Sequence, residues 1–170
     1  PAASITDTSN IIRVDMTGVS DQAGNAGVGS TDSPNYVVDS TRPTATIVMA
    51  VMALKAGETS EVTITFSEAV TGFSSADLTV ANGAISGLSS SDGGVTWVGL
   101  LTPDVDVRDA SNLISLDNTG YTDLAGNAGT GTTLSGNFAI DTVRPTASIV
   151  VADTALKVGD RIVVPFTICC

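Results

Sequence analysis

Apolar and polar residues alternate along much of the chain with the two-residue period of a β-strand. In the clearest segment, Val62, Ile64 and Phe66 alternate with Thr63 and Thr65. This alternation predicts a half-buried strand with one face in the core and the other toward solvent. No segment keeps an apolar stripe at helical spacing over the length of a helix, so the chain is predicted to be built from strands.

Turn signals divide the middle of the chain into about seven short strands. The pair Asn82-Gly83 is a strong signal for a tight hairpin, and the Ser- and Gly-rich segment 89–94 predicts another turn. Short strands at intervals of roughly 8 to 15 residues favour an all-β fold. We predict an antiparallel β-sandwich of about seven strands with immunoglobulin-like (Ig-like) topology, with a jelly roll or a small barrel as the alternative.

The sequence also repeats itself. The pattern Asp-x-x-Gly-Asn occurs at 21–25 and again, 102 positions later, at 123–127, and Arg-Pro-Thr occurs at 42–44 and 144–146 with the same offset. A period of this length corresponds to one small domain in a tandem array. We therefore predict that 41–143 is a complete repeat, that 1–40 is the C-terminal part of a preceding repeat, and that 144–170 holds the N-terminal strands of a following, truncated one.

The partial repeats at the two ends are expected to carry unpaired strand edges. Such edges can take up a strand from another chain, so strand-mediated self-association through the ends is one expected interaction. The main expected partners are the neighbouring repeats of the same chain.

Composition excludes several classes of partner. Acidic residues outnumber basic ones by 18 to 7, which gives a net charge of −11 and argues against nucleic acid. The longest apolar run, 47–54, is far shorter than the roughly 20 residues of a membrane-spanning helix, so membrane insertion is not expected. The two cysteines, Cys169 and Cys170, are adjacent and form a poor intrachain pair, so we expect no internal disulfide.

We predict no enzymatic activity. The chain has no histidine, which removes the commonest general base and the commonest zinc ligand. The sole plausible acid–base pair is Asp123 with Glu68. A repeat of about 100 residues also leaves little room for a substrate cleft.

Fifteen of the eighteen acidic residues are aspartates. Aspartate favours turns over helices, and in loops it serves either as a turn former or as a source of hard oxygen ligands. A second acidic loop, with Asp104, Asp106 and Asp109, is expected at the opposite pole of the sandwich near Asp141. It can serve the next joint or be a solvated turn.

An ordered set of short motifs covers nearly the whole chain. They are Pro-Thr-Ala-Thr-Ile at 43–47, Leu-Lys-Ala-Gly-Glu-Thr at 54–59, Thr-Phe-Ser-Glu-Ala-Val at 65–70, Gly-Phe at 72–73, Ala-Asp-Leu-Thr-Val at 76–80 and Thr-Asp-Leu-Ala-Gly-Asn at 122–127. Together these motifs resemble the bacterial Ig-like repeats of giant secreted adhesins, the RTX-type proteins of biofilm-forming cell surfaces. One departure from the repeat is that Cys170 stands where the complete repeat has Glu68.

The resemblance implies a function. It implies an extracellular β-sandwich used as an extender between a cell anchor and a distal ligand-binding tip, with Ca²⁺ at the joints between sandwiches. The predicted function is thus a structural extender module of a bacterial cell-surface adhesin. The alternative is an Ig-like module that binds a glycan or a host protein, for which Tyr121 is the one candidate aromatic platform.

The candidate calcium ligands lie in loops that the fold should bring together. In an Ig-like sandwich the second-to-third and sixth-to-seventh strand loops share the pole at which the chain enters. These loops carry Glu68 and Asp77, and Asp123 and Asn127, while the entering linker carries Asp39. Five such side chains and a carbonyl or water would satisfy Ca²⁺, which takes 6 to 8 oxygen ligands. The alternative for Asp-x-x-Gly-Asn is an ordinary Asx-type turn.

Overall fold

The computed structural model describes Ala2 and residues 4–169, so that Cys170 lies outside the described residues. Over this part of the chain there are eighteen short strands, two 3-10 helices (Met16–Gly18 and Ser75–Asp77) and no α-helix. The strands are β1 (Thr6–Asn10), β2 (Arg13–Asp15), β3 (Ser30–Asp32), β4 (Tyr36–Asp39), β5 (Ala45–Met49), β6 (Ala53–Lys55), β7 (Ser60–Phe66), β8 (Val70–Thr71), β9 (Leu78–Val80), β10 (Gly83–Ser90), β11 (Thr96–Pro103), β12 (Arg108–Asn112), β13 (Ile114–Asp117), β14 (Thr122–Asp123), β15 (Thr132–Leu134), β16 (Phe138–Asp141), β17 (Thr146–Ile149) and β18 (Phe166–Cys169).

Strands β5 to β16, apart from the short loop strands β8 and β14, form two sheets that enclose one core. The first sheet has the antiparallel order β10–β11–β7–β5. The second sheet consists of two segments that follow each other along its strands, β12–β16–β6 and β15–β13–β9. In it β6 runs parallel to β16, and the other pairs are antiparallel. If β5/β6, β12/β13 and β15/β16 are each counted as one interrupted strand, the unit has seven main strands. The predicted all-β Ig-like sandwich is confirmed.

Buried polar side chains bridge the interruptions in the second sheet. The Ser135 hydroxyl accepts the Ile114 backbone N–H at 2.9 Å, and the Asn112 amide donates to the Phe138 carbonyl at 3.2 Å. Ser135 and Asn112 are 8% and 1% exposed. Each supplies a hydrogen bond at a point where the regular ladder breaks, so the Ile114 N–H and the Phe138 carbonyl are paired there.

The core is mainly aliphatic, with an aromatic cluster near one pole. On β7 the buried positions Val62, Ile64 and Phe66 alternate with more exposed threonines, as the pattern predicts. Phe66 packs edge-to-face against Phe73 and Tyr121, with ring centroids 5.1 Å and 4.7 Å away. Tyr121 is 1% exposed and thus belongs to the core, so it offers no surface platform for a sugar.

The flanking segments reproduce pieces of the same architecture. Thr6 pairs with Asp39 between β1 and β4, just as Arg108 pairs with Asp141 between β12 and β16. At the other end Ala147 pairs with Ile168, as Ala45 pairs with Phe66 in the complete unit. Strand pairs related by the 102-residue repeat therefore have the same register.

The hairpin β17–β18 presents to solvent the residue types that the complete unit buries. Phe166 and Ile168, which correspond to Ile64 and Phe66, are 69% and 59% exposed. No second sheet covers this hairpin within residues 4–169. In the described part of the chain, no helix has both the length and the apolar character needed to cross a membrane.

Candidate metal centre

Two loops of the complete unit meet at the pole where the chain enters. The first loop leaves β7 and contains the short strand β8, and the second joins β13 to β15 and contains β14. Strands β8 and β14 pair with each other, Val70 opposite Asp123 and Thr71 opposite Thr122. Glu68 lies two residues before Val70, and this pairing therefore holds Glu68 close to Asp123.

The segment 123–127 is a turn closed by its own side chains. One carboxylate oxygen of Asp123 accepts the Asn127 backbone N–H at 2.8 Å, and the other accepts the Asn127 side-chain amide at 2.8 Å. Gly126 has φ +91°, a conformation that glycine adopts without strain. The equivalent turn at 21–25 makes the same two hydrogen bonds at 2.9 and 2.7 Å. The motif therefore folds as an Asx-type turn in both copies of the repeat.

The linker is tied directly to this turn. The Asn127 amide donates to the backbone carbonyl of Asp39 at 3.2 Å, and the Arg42 guanidinium donates to the carbonyl of Ala128 at 2.6 Å. Pro43 is buried and fixes its own φ, which stiffens the segment. These contacts hold the end of β4 against the next sandwich.

Three carboxylates converge at this joint. Asp39, Glu68 and Asp123 each offer one oxygen, and the three oxygens lie within 4.8 Å of one another. Asp123 is 2% exposed, whereas Asp39 and Glu68 are half-buried. Asp39 is the last residue of β4, at the start of the linker, and the other two come from the following sandwich, so the cluster spans the joint.

The electrostatics of the cluster are those of crowded like charges. Burial, followed by the negative charges of Asp123 and Asp39, raises the pKa of Glu68 above its ordinary value. Burial also acts to raise the pKa of Asp123, but hydrogen bonds from the Asn127 side chain and backbone, and from the Ala125 and Gly126 backbone, outweigh it and leave that pKa lowered. Asp123 therefore stays ionised while Glu68 carries the cost of the crowding.

Asp77 lies outside the carboxylate cluster found in the described residues, whereas Asn127 lies beside it with its amide N–H groups toward Asp123 and Asp39. The Oδ2 of Asp77 accepts the Ser74 backbone N–H at 2.8 Å and completes a capping box on the helix Ser75–Asp77, and its carboxylate also lies against Gly120. Asn127 donates its amide N–H groups to Asp123 and to the Asp39 carbonyl, so it orients the cluster.

The sequence already contains the signal for the role of Asp77. Ser74-x-x-Asp77 has the spacing of a capping box. Two further joint residues were missed by the sequence analysis as parts of the site: Arg42, which bonds the turn, and Thr6, whose hydroxyl donates to Asp39 Oδ1 at 3.1 Å. Thr6 is visible only through the strand register, because it lies 33 residues before Asp39.

The second acidic loop lies at the opposite pole beside the outgoing linker. Thr142 accepts the Val107 backbone N–H at 2.9 Å and donates to the Asp104 carbonyl at 2.8 Å. The Asp109 carboxylate accepts hydrogen bonds from Asn82 and from the Ser111 backbone. In the described residues Asp104, Asp106 and Asp109 do not bring their carboxylates together as a cluster.

The three-carboxylate cluster has the donor chemistry and spacing of a calcium site. Two oxygens bound to one Ca²⁺ at about 2.4 Å lie at most about 4.8 Å apart, and the cluster meets this limit. Carboxylate oxygens are the hard ligands that Ca²⁺ prefers, and backbone carbonyls or water complete its shell. Asp39, Glu68 and Asp123 are thus the residues that would hold the ion.

Comparison with protein families supplies the classification. The profile of the bacterial Ig-like domain matches residues 1–38 and again 39–140. The chain belongs to the bacterial Ig-like domain family. Comparisons with curated proteins and with solved structures gave no match. Bacterial Ig-like domains are commonly extracellular or cell-surface modules and are typically non-enzymatic.

The crowding of negative charge at the joint of this bacterial Ig-like chain predicts that removing one charge increases the thermal stability of the fold. Because the pKa of Glu68 is higher in the folded than in the unfolded state, ionisation of Glu68 destabilises the fold at pH values above the folded pKa. We expect Glu68→Gln, in the absence of divalent cations, to raise Tm at pH 7. The gain should disappear below the ordinary glutamate value of 4.5, where the carboxyl group is protonated in both states.

The matched control for this experiment is Glu61→Gln, which removes the same charge from an exposed position on β7. It should leave Tm nearly unchanged at both pH values. A thermal melt in which Glu68→Gln lowers Tm at pH 7 would contradict the argument.

The role of Asn127 in orienting the cluster predicts that removing its side chain destabilises the fold. Asn127→Ala takes away the amide that satisfies the buried Asp123 and the Asp39 carbonyl. We expect it to lower the free energy of unfolding by about 1–3 kcal/mol. Urea unfolding followed through the fluorescence of the single tryptophan, Trp97, measures this change in the free energy of unfolding.

The control is Asn137→Ala, which removes an exposed amide bonded to the Ala110 carbonyl and should cost less than about 1 kcal/mol. Equal losses in the two variants would argue against a special role for Asn127.

Proposed function

We propose that this bacterial Ig-like chain is a structural extender of a cell-surface adhesin, with a Ca²⁺ ion stiffening the joint between consecutive sandwiches. The observation that carries the proposal is the carboxylate cluster, in which Asp39 of the linker meets Glu68 and Asp123 of the next sandwich within 4.8 Å. Ligands drawn from both sides of a joint convert binding into mechanical coupling.

The residues of the joint supply two opposing effects. Hydrogen bonds from Asn127 and Arg42 draw the linker onto the turn, while three carboxylates at this spacing repel one another. A bound Ca²⁺ supplies the positive charge that balances the carboxylates. With the charge balanced, the hydrogen bonds and the buried Pro43 hold the linker in one orientation.

The position of the joints suits an extended array. Asp39 ends β4, where the chain enters the complete sandwich, and Asp141 ends β16, where it leaves. The acidic loop beside the Asp141 end lies at the opposite pole from the cluster. Repeats joined in this way run pole to pole, and their partners are the neighbouring repeats of the same chain. A biofilm-forming adhesin of the RTX type, at the extracellular surface of a bacterium, is the setting that we propose, and pairing through unpaired strand edges is a further proposed contact.

A calcium-dependent thermal melt tests the proposal. At Ca²⁺ concentrations tenfold above Kd, the folded state gains about 1.4 kcal/mol, which corresponds to a rise in Tm of roughly 6–10 °C for a domain of this size. Mg²⁺ should give a smaller rise, because it demands octahedral geometry at shorter distances and gives up water reluctantly. Asp123→Asn should abolish most of the calcium effect.

The matched control is Asp21→Asn. Asp21 has the same place in the same turn but is not part of the carboxylate cluster, so its variant should keep the full calcium response. Distance distributions between fluorescent labels at Ser9 and Ser111, on either side of the joint, should narrow when Ca²⁺ is added. If millimolar Ca²⁺ changes neither the wild-type Tm nor the distance distribution, the calcium-stiffened joint is refuted, and the chain is a spacer without a calcium-dependent joint.

A groove on the sandwich favours a second candidate, a glycan-binding module. It has a volume of about 420 Å³ and is lined by apolar and hydroxyl side chains, among them Phe73, Ser75, Ser86, Leu88 and the half-buried Trp97. An aromatic side chain beside hydroxyls suits a neutral sugar. Binding on a glycan array that is lost in Trp97→Ala, with calcium-independent Tm, would favour this candidate over the extender; an array without binders would remove it.

A further inference from the structure

The two joints of this chain differ at one position that faces the linker aspartate. At the first joint Thr6 lies opposite Asp39 in the β1–β4 pair, and at the second joint Arg108 lies opposite Asp141 in the β12–β16 pair. The two pairs are related by the 102-residue repeat and have the same register. The chain thus contains one uncharged and one cationic version of the same contact.

The two versions leave the aspartate in different electrostatic states. The Thr6 hydroxyl donates to Asp39 Oδ1 at 3.1 Å, which orients the carboxylate and leaves its charge unbalanced. The Arg108 guanidinium lies with Nε 3.4 Å from Asp141 Oδ2, so a full positive charge stands beside that carboxylate. In sequence, Cys170 also occupies the position of Glu68 at the second joint, which removes a second negative charge.

We propose that the residue opposite the linker aspartate determines whether a joint takes a divalent cation. Thr6 leaves Asp39 to the cation, whereas Arg108 provides a built-in counter-charge that makes the Asp141 joint independent of divalent ions. This inference rests on the proposed calcium joint at Asp39, Glu68 and Asp123, and it adds the residue that sets the cation dependence of each joint.

The physical basis is competition for the same carboxylate. The positive charge of a guanidinium beside the aspartate repels an incoming divalent cation. The Arg108 and Asp141 side chains are 65% and 53% exposed, and an exposed ion pair contributes little to stability. Exchange between threonine and arginine at this position is therefore expected to change cation affinity far more than folding.

The test transplants the second joint's residue into the first. Thr6→Arg in the full chain should weaken Ca²⁺ binding by about tenfold or more, measured as Kd by calorimetric titration with CaCl₂. Thr6→Val removes the hydroxyl without adding charge and should keep Kd within about threefold. Thr31→Arg, on the exposed strand β3, adds the same charge away from the linker and should also keep it. Trp97 fluorescence should show that the complete unit is folded in each variant.

Each outcome decides between the claims. Unchanged affinity in Thr6→Arg, with calcium binding intact in the wild type, overturns the inference and leaves the proposed joint standing. Equal weakening in Thr31→Arg overturns it as well, because the effect would then follow net charge alone. Binding of two Ca²⁺ ions per wild-type chain would refute the cation-independent second joint. A wild type that binds no Ca²⁺ refutes the calcium joint itself and this inference with it.

Discussion

Three carboxylates on a short, anchored linker are the constraint on which the rest of this structure depends. Hydrogen bonds hold Asp39 close to Glu68 and Asp123: the Asn127 amide donates to its carbonyl, and Arg42 donates to the Ala128 carbonyl just after the turn. The joint is therefore held closed by hydrogen bonds and pushed open by charge. Under the proposed function, compensating this charge would stiffen the joint without refolding of either sandwich.

The sandwich is suited to such a joint because the two loops that carry the carboxylates are connected to different sheets. Glu68 follows β7 of the first sheet, whereas Asp123 precedes the strands β15 and β16 of the second. Phe66 and Tyr121, each two residues before one of these carboxylates, pack edge-to-face in the core. A cation held by these carboxylates would connect the linker to both sheets over a rigid base, so force along the array would pass into the whole sandwich rather than into one strand.

Much of this architecture follows from local signals in the sequence. Alternation of apolar and polar residues predicted β7 and its buried face, and the topology expected of an Ig-like sandwich places Glu68 and Asp123 at one pole. Asp77 departs from the prediction because side-chain direction is decided locally, by its capping box with Ser74. Thr6 was missed because its importance follows from the register of β1 on β4, and register is a property of the folded pair that a linear pattern does not contain.

Repetition changes what a single substitution means. The backbone pairing Thr6–Asp39 is copied at Arg108–Asp141, so the sheet tolerates either residue, and both partners are exposed at the copied pair. A position that hardly affects folding yet lies beside a carboxylate of the proposed calcium site is free to vary from repeat to repeat. Together with the proposed calcium joint, this implies that joints of different cation dependence would alternate along one array of similar sandwiches, and that single residues would set where the array bends when calcium falls.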